Sequence, residues 1–197
     1  MFTIEPHIQG LIFDNDGTLA DTMPSHYIAW RETVQAYKAD FPEQLFYDLA
    51  GVPSDKIVTI LNETFGYQLE PHVIAHEKER RFLQNLSRIQ PIEPVVRVAK
   101  QYKGRLPMAV ATGGVASVAL SVLEAIGLND FFDAVITADD VIHGKPAPDI
   151  FLEAARQINI SPGYCQVFED SDLGLEGAQR AGMVAVDVRS VAMQRSA

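Results

Sequence analysis

Two aspartates separated by one residue, Asp14 and Asp16, follow directly on the apolar run Gly10-Leu11-Ile12-Phe13. Further along, Thr112-Gly113-Gly114 end a second apolar run, Lys145 stands before Pro146, and Glu169-Asp170 close another. Gathered at one place, these types form a coherent set. Clustered carboxylates repel one another and shift each other's pKa values. A hard divalent cation relieves that cost, and Mg²⁺ in particular takes one or two carboxylates together with water and a phosphate oxygen. A threonine hydroxyl and glycine N–H groups at the start of a helix suit phosphate oxygens. Lysine adds a point charge to the same group.

The apolar runs predict the elements that bring these residues together. Short apolar stretches closed by turn residues read as buried parallel strands. They fall at residues 10–13, 107–111, 134–137, 165–169 and 184–188. Helical spacing separates them. Val115, Val118, Ala119, Val122, Leu123 and Ile126 recur at threes and fours before Gly127, and Phe151, Ala154, Ala155 and Ile158 do so after Pro148. Alternation of this kind predicts an α/β fold, a doubly wound, mostly parallel, Rossmann-like sheet. In such sheets the ligand site lies outside the carboxyl ends of the strands, where all the polar residues above fall.

Residues 22–89 have a different texture. They carry few β-branched runs and read as short helices over 24–38, after Ser54-Asp55, and from Pro71. The expectation is an α/β core of residues 1–21 and 90–197, interrupted by a helical cap at 22–89 whose two chain crossings are hinges. In the cap, His26 could face the site. Trp30 reads as packing. The run Glu77 to Arg81 reads as a solvated face from which Lys78 could reach a substrate.

Composition excludes several classes. With 47% hydrophobic and 21% charged residues the chain can build a core, so wholesale disorder is excluded. A formal charge of −10 repels nucleic acid and anionic lipid. Cys165 is the single cysteine, which excludes an intrachain disulfide and a Cys-cluster metal site. No apolar run is long enough to span a membrane, and the first ten residues lack the pattern of a secretory signal. The expected setting is cytoplasmic, and the expected working unit is a monomer.

The ordered set Asp14-Asn15-Asp16-Gly17-Thr18, Thr112, Lys145-Pro146 and Glu169-Asp170 resembles the haloacid dehalogenase superfamily of aspartate-nucleophile phosphotransferases. Asp21-Thr22, His26, Trp30, the run from Lys145 to Asp149 and Phe168-Glu169-Asp170-Ser171 look like its β-phosphoglucomutase-like subfamily. The resemblance implies roles. Asp14 is the nucleophile that becomes an aspartyl phosphate, and Asp16 is the general acid and base. Asp14, Asp16 through its backbone carbonyl, and Asp170 hold Mg²⁺, with Glu169 in support. Thr112, Gly113 and Lys145 hold the phosphoryl oxygens, and His26 and Lys78 approach from the cap. The activity implied is that of a phosphatase acting on a small sugar phosphate of the fructose 1-phosphate type.

Two other readings compete. A β-phosphoglucomutase-type phosphotransferase grips its idle phosphate with a cap-loop arginine, whereas residues 50–56 here offer only Lys56. A phospho-receiver signalling module also uses an acidic cluster, a threonine and a lysine. It needs no general acid two residues beyond its nucleophile and carries no helical insertion.

Overall fold

The computed structural model describes residues 2–189. Position 1 and positions 190–197, at the two ends of the expected core, lie outside the described residues. Five strands form one sheet: β1 (Gly10–Phe13), β2 (Met108–Ala111), β3 (Ala134–Ile136), β4 (Cys165–Glu169) and β5 (Val184–Asp187). Their order is β3-β2-β1-β4-β5, and every pairing is parallel. The strands observed match the five expected to within a residue at each end.

Strand alternation sorts the core into two layers. Leu11, Phe13, Met108, Val110 and Phe168 face one side, where they meet Val95, Val96 and Ala99 of α5 (Glu93–Tyr102) and Leu123 of α6 (Ala116–Ala125). Ile12, Ala109, Ala111 and Val167 face the other, against Ile150, Phe151 and Ala154 of α7 (Asp149–Gln157) and Ala178 of α8 (Asp172–Arg180). Burial on both faces explains why the strand sequences are continuous apolar runs rather than alternating ones. Helix α5 was not foreseen in the sequence. Pro94 sits in the first turn of the helix, where a missing N–H costs nothing.

Between β1 and α5 lie four helices: α1 (Met23–Ala36), α2 (Glu43–Asp48), α3 (Ser54–Phe65) and α4 (Pro71–Leu83). They pack around Trp30, Val34, Phe41, Phe46, Val58, Leu61 and Ile74, a cluster separate from the two sheet layers. The short α2 is an addition to the three helices expected. A second seam, with Ala29 and Phe82 against Val118 and Val122 of α6, joins these helices to the core. The chain leaves and re-enters the sheet side by side, since the N–H of Asp21 donates to the carbonyl of Gln90 at 2.9 Å. Among the described residues no helix is long and apolar enough to cross a membrane.

Candidate active site

Strand β1 lies between β2 and β4, so the ends of all three open onto one crevice. The pairings of Phe13 with Val110 and with Phe168 hold those ends level. Asp14 is tied to the end of β4 by its backbone N–H, which donates to the carbonyl of Phe168 at 3.0 Å. The chain then turns sharply at Gly17, whose φ of 86° lies in the left-handed region. A Cβ at that position would also collide with the Asp170 carboxylate. Glycine at 17 therefore allows both the turn and the close approach of β1's loop to Asp170.

The turn divides the two aspartates. Asp14 enters a cluster with Glu169 and Asp170, in which one carboxylate oxygen from each lies within 4.8 Å of the others. The Lys145 ammonium donates to Asp14 Oδ1 and to Glu169 Oε2, each at 2.7 Å. Asp16 points elsewhere: its Oδ1 meets His26 Nε2 at 3.1 Å and its Oδ2 accepts from the Thr112 hydroxyl at 3.3 Å. Thr112 is fixed in turn by its backbone N–H on the Ile136 carbonyl and by the Gly114 N–H, which donates to its hydroxyl. The Asp16 carboxylate is thus not part of the acidic cluster, which leaves its backbone carbonyl as the group of that residue expected to serve a cation.

The electrostatics follow from burial and charge count. Burial, joined by the charges of Glu169 and Asp16 and opposed by Lys145, raises the Asp14 carboxyl to about 8. Burial, Glu169 and Asp14 raise Asp170 well above the usual carboxylate range. Burial works against the charged form of Lys145, but Asp14 and Glu169 outweigh it and hold its pKa above the usual value. Three carboxylates therefore face one ammonium. Glu169 is also saturated, because its Oε1 accepts from the Ser171 N–H, the Ser171 hydroxyl and the Asp170 N–H. Asp170 accepts only from Thr18 among the side chains that reach it. An uncompensated, oxygen-only, buried acidic cluster fits a hard divalent cation. Asp14 and Asp170 could hold such an ion, while Glu169 is engaged by Lys145 and the Ser171 loop.

Asp16 behaves in the opposite way. Burial pushes its carboxyl up, but the hydrogen bond with His26, together with Lys78, holds it below the usual range. Burial and the Lys78 charge lower the His26 pKa, and the ring stacks on Phe82 at 3.7 Å between centroids.

Side chains of α1, α3 and α4 border the same cavity. Lys78 was read within a solvated run, yet it is only 4% exposed. It falls between Ile74 and Phe82 in the same i, i+4 row of α4, both fully buried. Its ammonium lies 5.4 Å from the Trp30 ring centroid and 5.7 Å from that of Phe82. Trp30 therefore serves both as packing and as a platform for this charge. Gly51, on the loop before α3, meets the loop after β2 directly, and a Cβ at Gly113 would collide with its carbonyl oxygen. The remaining cavity is about 70 Å³, lined by Asp14, Asp16, His26, Lys78, Thr112 and Gly113 among others. Ser54 and Glu79 also line it and were not singled out in the sequence. The available signal was the position of Glu79 beside a lysine that interrupts an apolar stripe.

Residues 8–182 match the haloacid dehalogenase-like hydrolase family, and the chain belongs to that family. It is 44% identical over 181 residues to the fructose-1-phosphate phosphatase YqaB of Escherichia coli K12, covering 91% of this chain and 96% of that protein. It is 33% identical over 181 residues to a phosphorylated carbohydrates phosphatase of Thermotoga maritima, covering 89% and 82%. The crystal structure of CbbY from Rhodobacter sphaeroides in complex with phosphate superposes with a TM-score of 0.82 at 25% identity, covering 90% of this chain and 84% of that one. The chain is a phosphoric monoester hydrolase.

Proposed function

We propose that this enzyme is a Mg²⁺-dependent phosphatase that hydrolyses a small sugar phosphate, of the fructose 1-phosphate type, through an aspartyl phosphate on Asp14. The observation that carries the reading is the separation of the acidic pair. Asp14 sits in the carboxylate cluster on Lys145, while Asp16 faces the cavity beside Thr112 and His26.

In the first step a carboxylate oxygen of Asp14 attacks phosphorus in line, and the bond from phosphorus to the sugar oxygen breaks. Asp16 gives its proton to that oxygen. Asp16 is held ionised before substrate binds; the arriving phosphoryl dianion, a like charge at short range, raises its pKa, and it takes up a proton from solvent that it then donates. In the second step water attacks phosphorus, Asp16 takes the water's proton, and inorganic phosphate leaves Asp14. The Thr112 hydroxyl, the Gly113 N–H and the Lys145 ammonium hold the phosphoryl oxygens throughout. Bound by Asp14, Asp170 and the backbone carbonyl of Asp16, Mg²⁺ supplies charge neutralisation for the phosphoryl oxygens and the carboxylates.

Residues 22–89 are proposed as a cap that withdraws to admit substrate. The separate apolar cluster around Trp30 and the backbone pairing of Asp21 with Gln90 support these boundaries. The cavity of about 70 Å³ has room for a few waters but not for a sugar phosphate. Lys56, the one cation of the 50–56 loop, lines the neighbouring cleft and not the catalytic cavity, which favours hydrolysis over a mutase.

The test is phosphate release from a panel of phosphorylated sugars with Mg²⁺, run beside a coupled assay for isomerised sugar phosphate. Release from fructose 1-phosphate or a close analogue, abolished in Asp14→Asn, is expected. Isomerisation faster than release would overturn the reading in favour of the mutase.

A further inference from the structure

The cap wall of the catalytic cavity carries one cation and one anion. Lys78 supplies the cation, and its Nζ donates to both oxygens of the neighbouring Glu79, at 3.2 and 3.3 Å. Glu79 is itself largely covered, its side chain being 15% exposed. Its Oε1 also accepts from the Ser54 hydroxyl at 2.5 Å. This bond joins the start of α3 to the third turn of α4. His26 is the other titratable cap group on the cavity, and burial beside Lys78 favours its neutral form. On the core side the ammonium of Lys145 is already shared between Asp14 and Glu169.

Glu79 and Ser54 have a further property of position. Both line the catalytic cavity, and both line a cleft of about 780 Å³ between α3, α4 and the loops after β2 and β3. They therefore border both spaces.

We propose that Glu79 is the residue that restricts this enzyme to monophosphates. Together with Ser54 it takes hydrogen bonds from the hydroxyls of a neutral polyol body, and by neutralising Lys78 it denies a second phosphate a counter-charge at the far end of the substrate. This rests on the phosphatase reading above and names the substrate class for that site. The physical argument is one of charge count. A second phosphate dianion brought to Glu79 finds no free cation there, because Lys78 is already neutralised by that carboxylate. A dianion left without a counter-charge is disfavoured beside such a pair, whereas hydroxyls gain hydrogen bonds from the same carboxylate. Further out, the cleft holds exposed Lys56 and Arg80, opposed by Asp55 and Asp139. They are the alternative destination for a second phosphate, and the experiment decides between the two.

The experiment compares kcat/KM for phosphate release from fructose 1-phosphate and fructose 1,6-bisphosphate in wild type, Glu79→Gln and Glu79→Asp. Glutamine keeps the size and the acceptor for Ser54 but removes the charge and releases Lys78. Wild type should favour the monophosphate by at least roughly tenfold. Glu79→Gln should narrow that ratio by about tenfold, mostly through a lower KM for the bisphosphate, while its KM for the monophosphate rises. Glu79→Asp should keep the discrimination even where its turnover falls. In parallel, fructose 1,6-bisphosphate is tested as an inhibitor of aryl phosphate hydrolysis, and its inhibition constant should drop about tenfold in Glu79→Gln only. An unchanged ratio and inhibition constant in Glu79→Gln overturns the proposal. So does a wild type that prefers the bisphosphate, which would assign the second phosphate to Lys56 and Arg80. If wild type releases phosphate from no sugar monophosphate, the phosphatase reading fails on that result, and the inhibition arm still decides the role of Glu79.

Discussion

The ammonium of Lys145 lies 2.7 Å from Oδ1 of Asp14, 131 positions away in sequence, and each residue is only 4% exposed. The pair links the loop before α7 to the end of β1. Breaking a buried ion pair by removing one partner leaves an uncompensated charge and costs about 3–5 kcal/mol. Lys145→Ala is therefore expected to lose stability of that order in metal-free buffer, and Mg²⁺ should restore part of it by taking over the charge. Chemical denaturation with and without Mg²⁺ measures both effects. Equal stability of variant and wild type would contradict the arrangement.

Asp14→Asn keeps the shape of the nucleophile but removes its charge and nucleophilicity. Phosphate release should fall to background, with the circular dichroism spectrum preserved. Wild-type turnover in a folded Asp14→Asn protein would dismiss the aspartyl phosphate.

For Asp16, the expected loss reflects general acid–base catalysis, typically ~10²–10⁴-fold. Asp16→Ala should lose about that much on a sugar phosphate and less on an aryl phosphate, whose leaving group needs little protonation. The comparison of the two substrates is the measurement, and equal losses would remove the acid role.

The pH dependence of stability has a definite sign. Asp14 is raised from 3.8 to about 8 in the folded, metal-free protein, so the fold favours its protonated form. The stability this contributes is present at low pH and is lost as pH rises from about 4 through 8. Asp170 acts in the same direction. Mg²⁺ removes the penalty, so the increase in melting temperature on adding Mg²⁺ should be larger at pH 8.5 than at pH 6. A Mg²⁺ effect independent of pH would argue against a cation at these carboxylates.

Gly113→Ala tests the contact between the cap loop and the phosphate loop. Its new Cβ would collide with the Gly51 carbonyl oxygen and hold the cap off the site. Displacements of about 1 Å in a catalytic constellation can cost ~10²-fold, so kcat/KM should fall by that order with little change in melting temperature. Near wild-type kinetics would mean that catalysis does not need this closure.

Strand–helix alternation and the polar residues at strand ends made the sheet and the Asp14, Lys145, Glu169 and Asp170 cluster legible, because both follow from chain order and parallel topology. What the sequence hid were facings. Lys78 stands in a run of five charged residues, and only packing against Trp30 and Phe82 turns it inward. Glu79 matters because Ser54, 25 positions away, meets it across two helices. The direction of the Asp16 carboxylate depends on the turn at Gly17 and on His26, and spacing alone does not encode it. Helix α5 was not legible because Pro94 stands in its first turn, and a proline there can mark a helix start as well as the end of what precedes it.

The hydrogen bond from Asp21 to Gln90 has a bearing on how such an enzyme diversifies. The intervening helices depart from and return to one spot, so the ends of this excursion are already joined by the sheet side. The closure entropy of a loop grows only slowly with its length. Lengthening, trimming or exchanging the excursion therefore leaves the nucleophile's strand undisturbed. New selectivity can arise by recombination or insertion at this one neck, while the hydrolytic machinery is inherited intact.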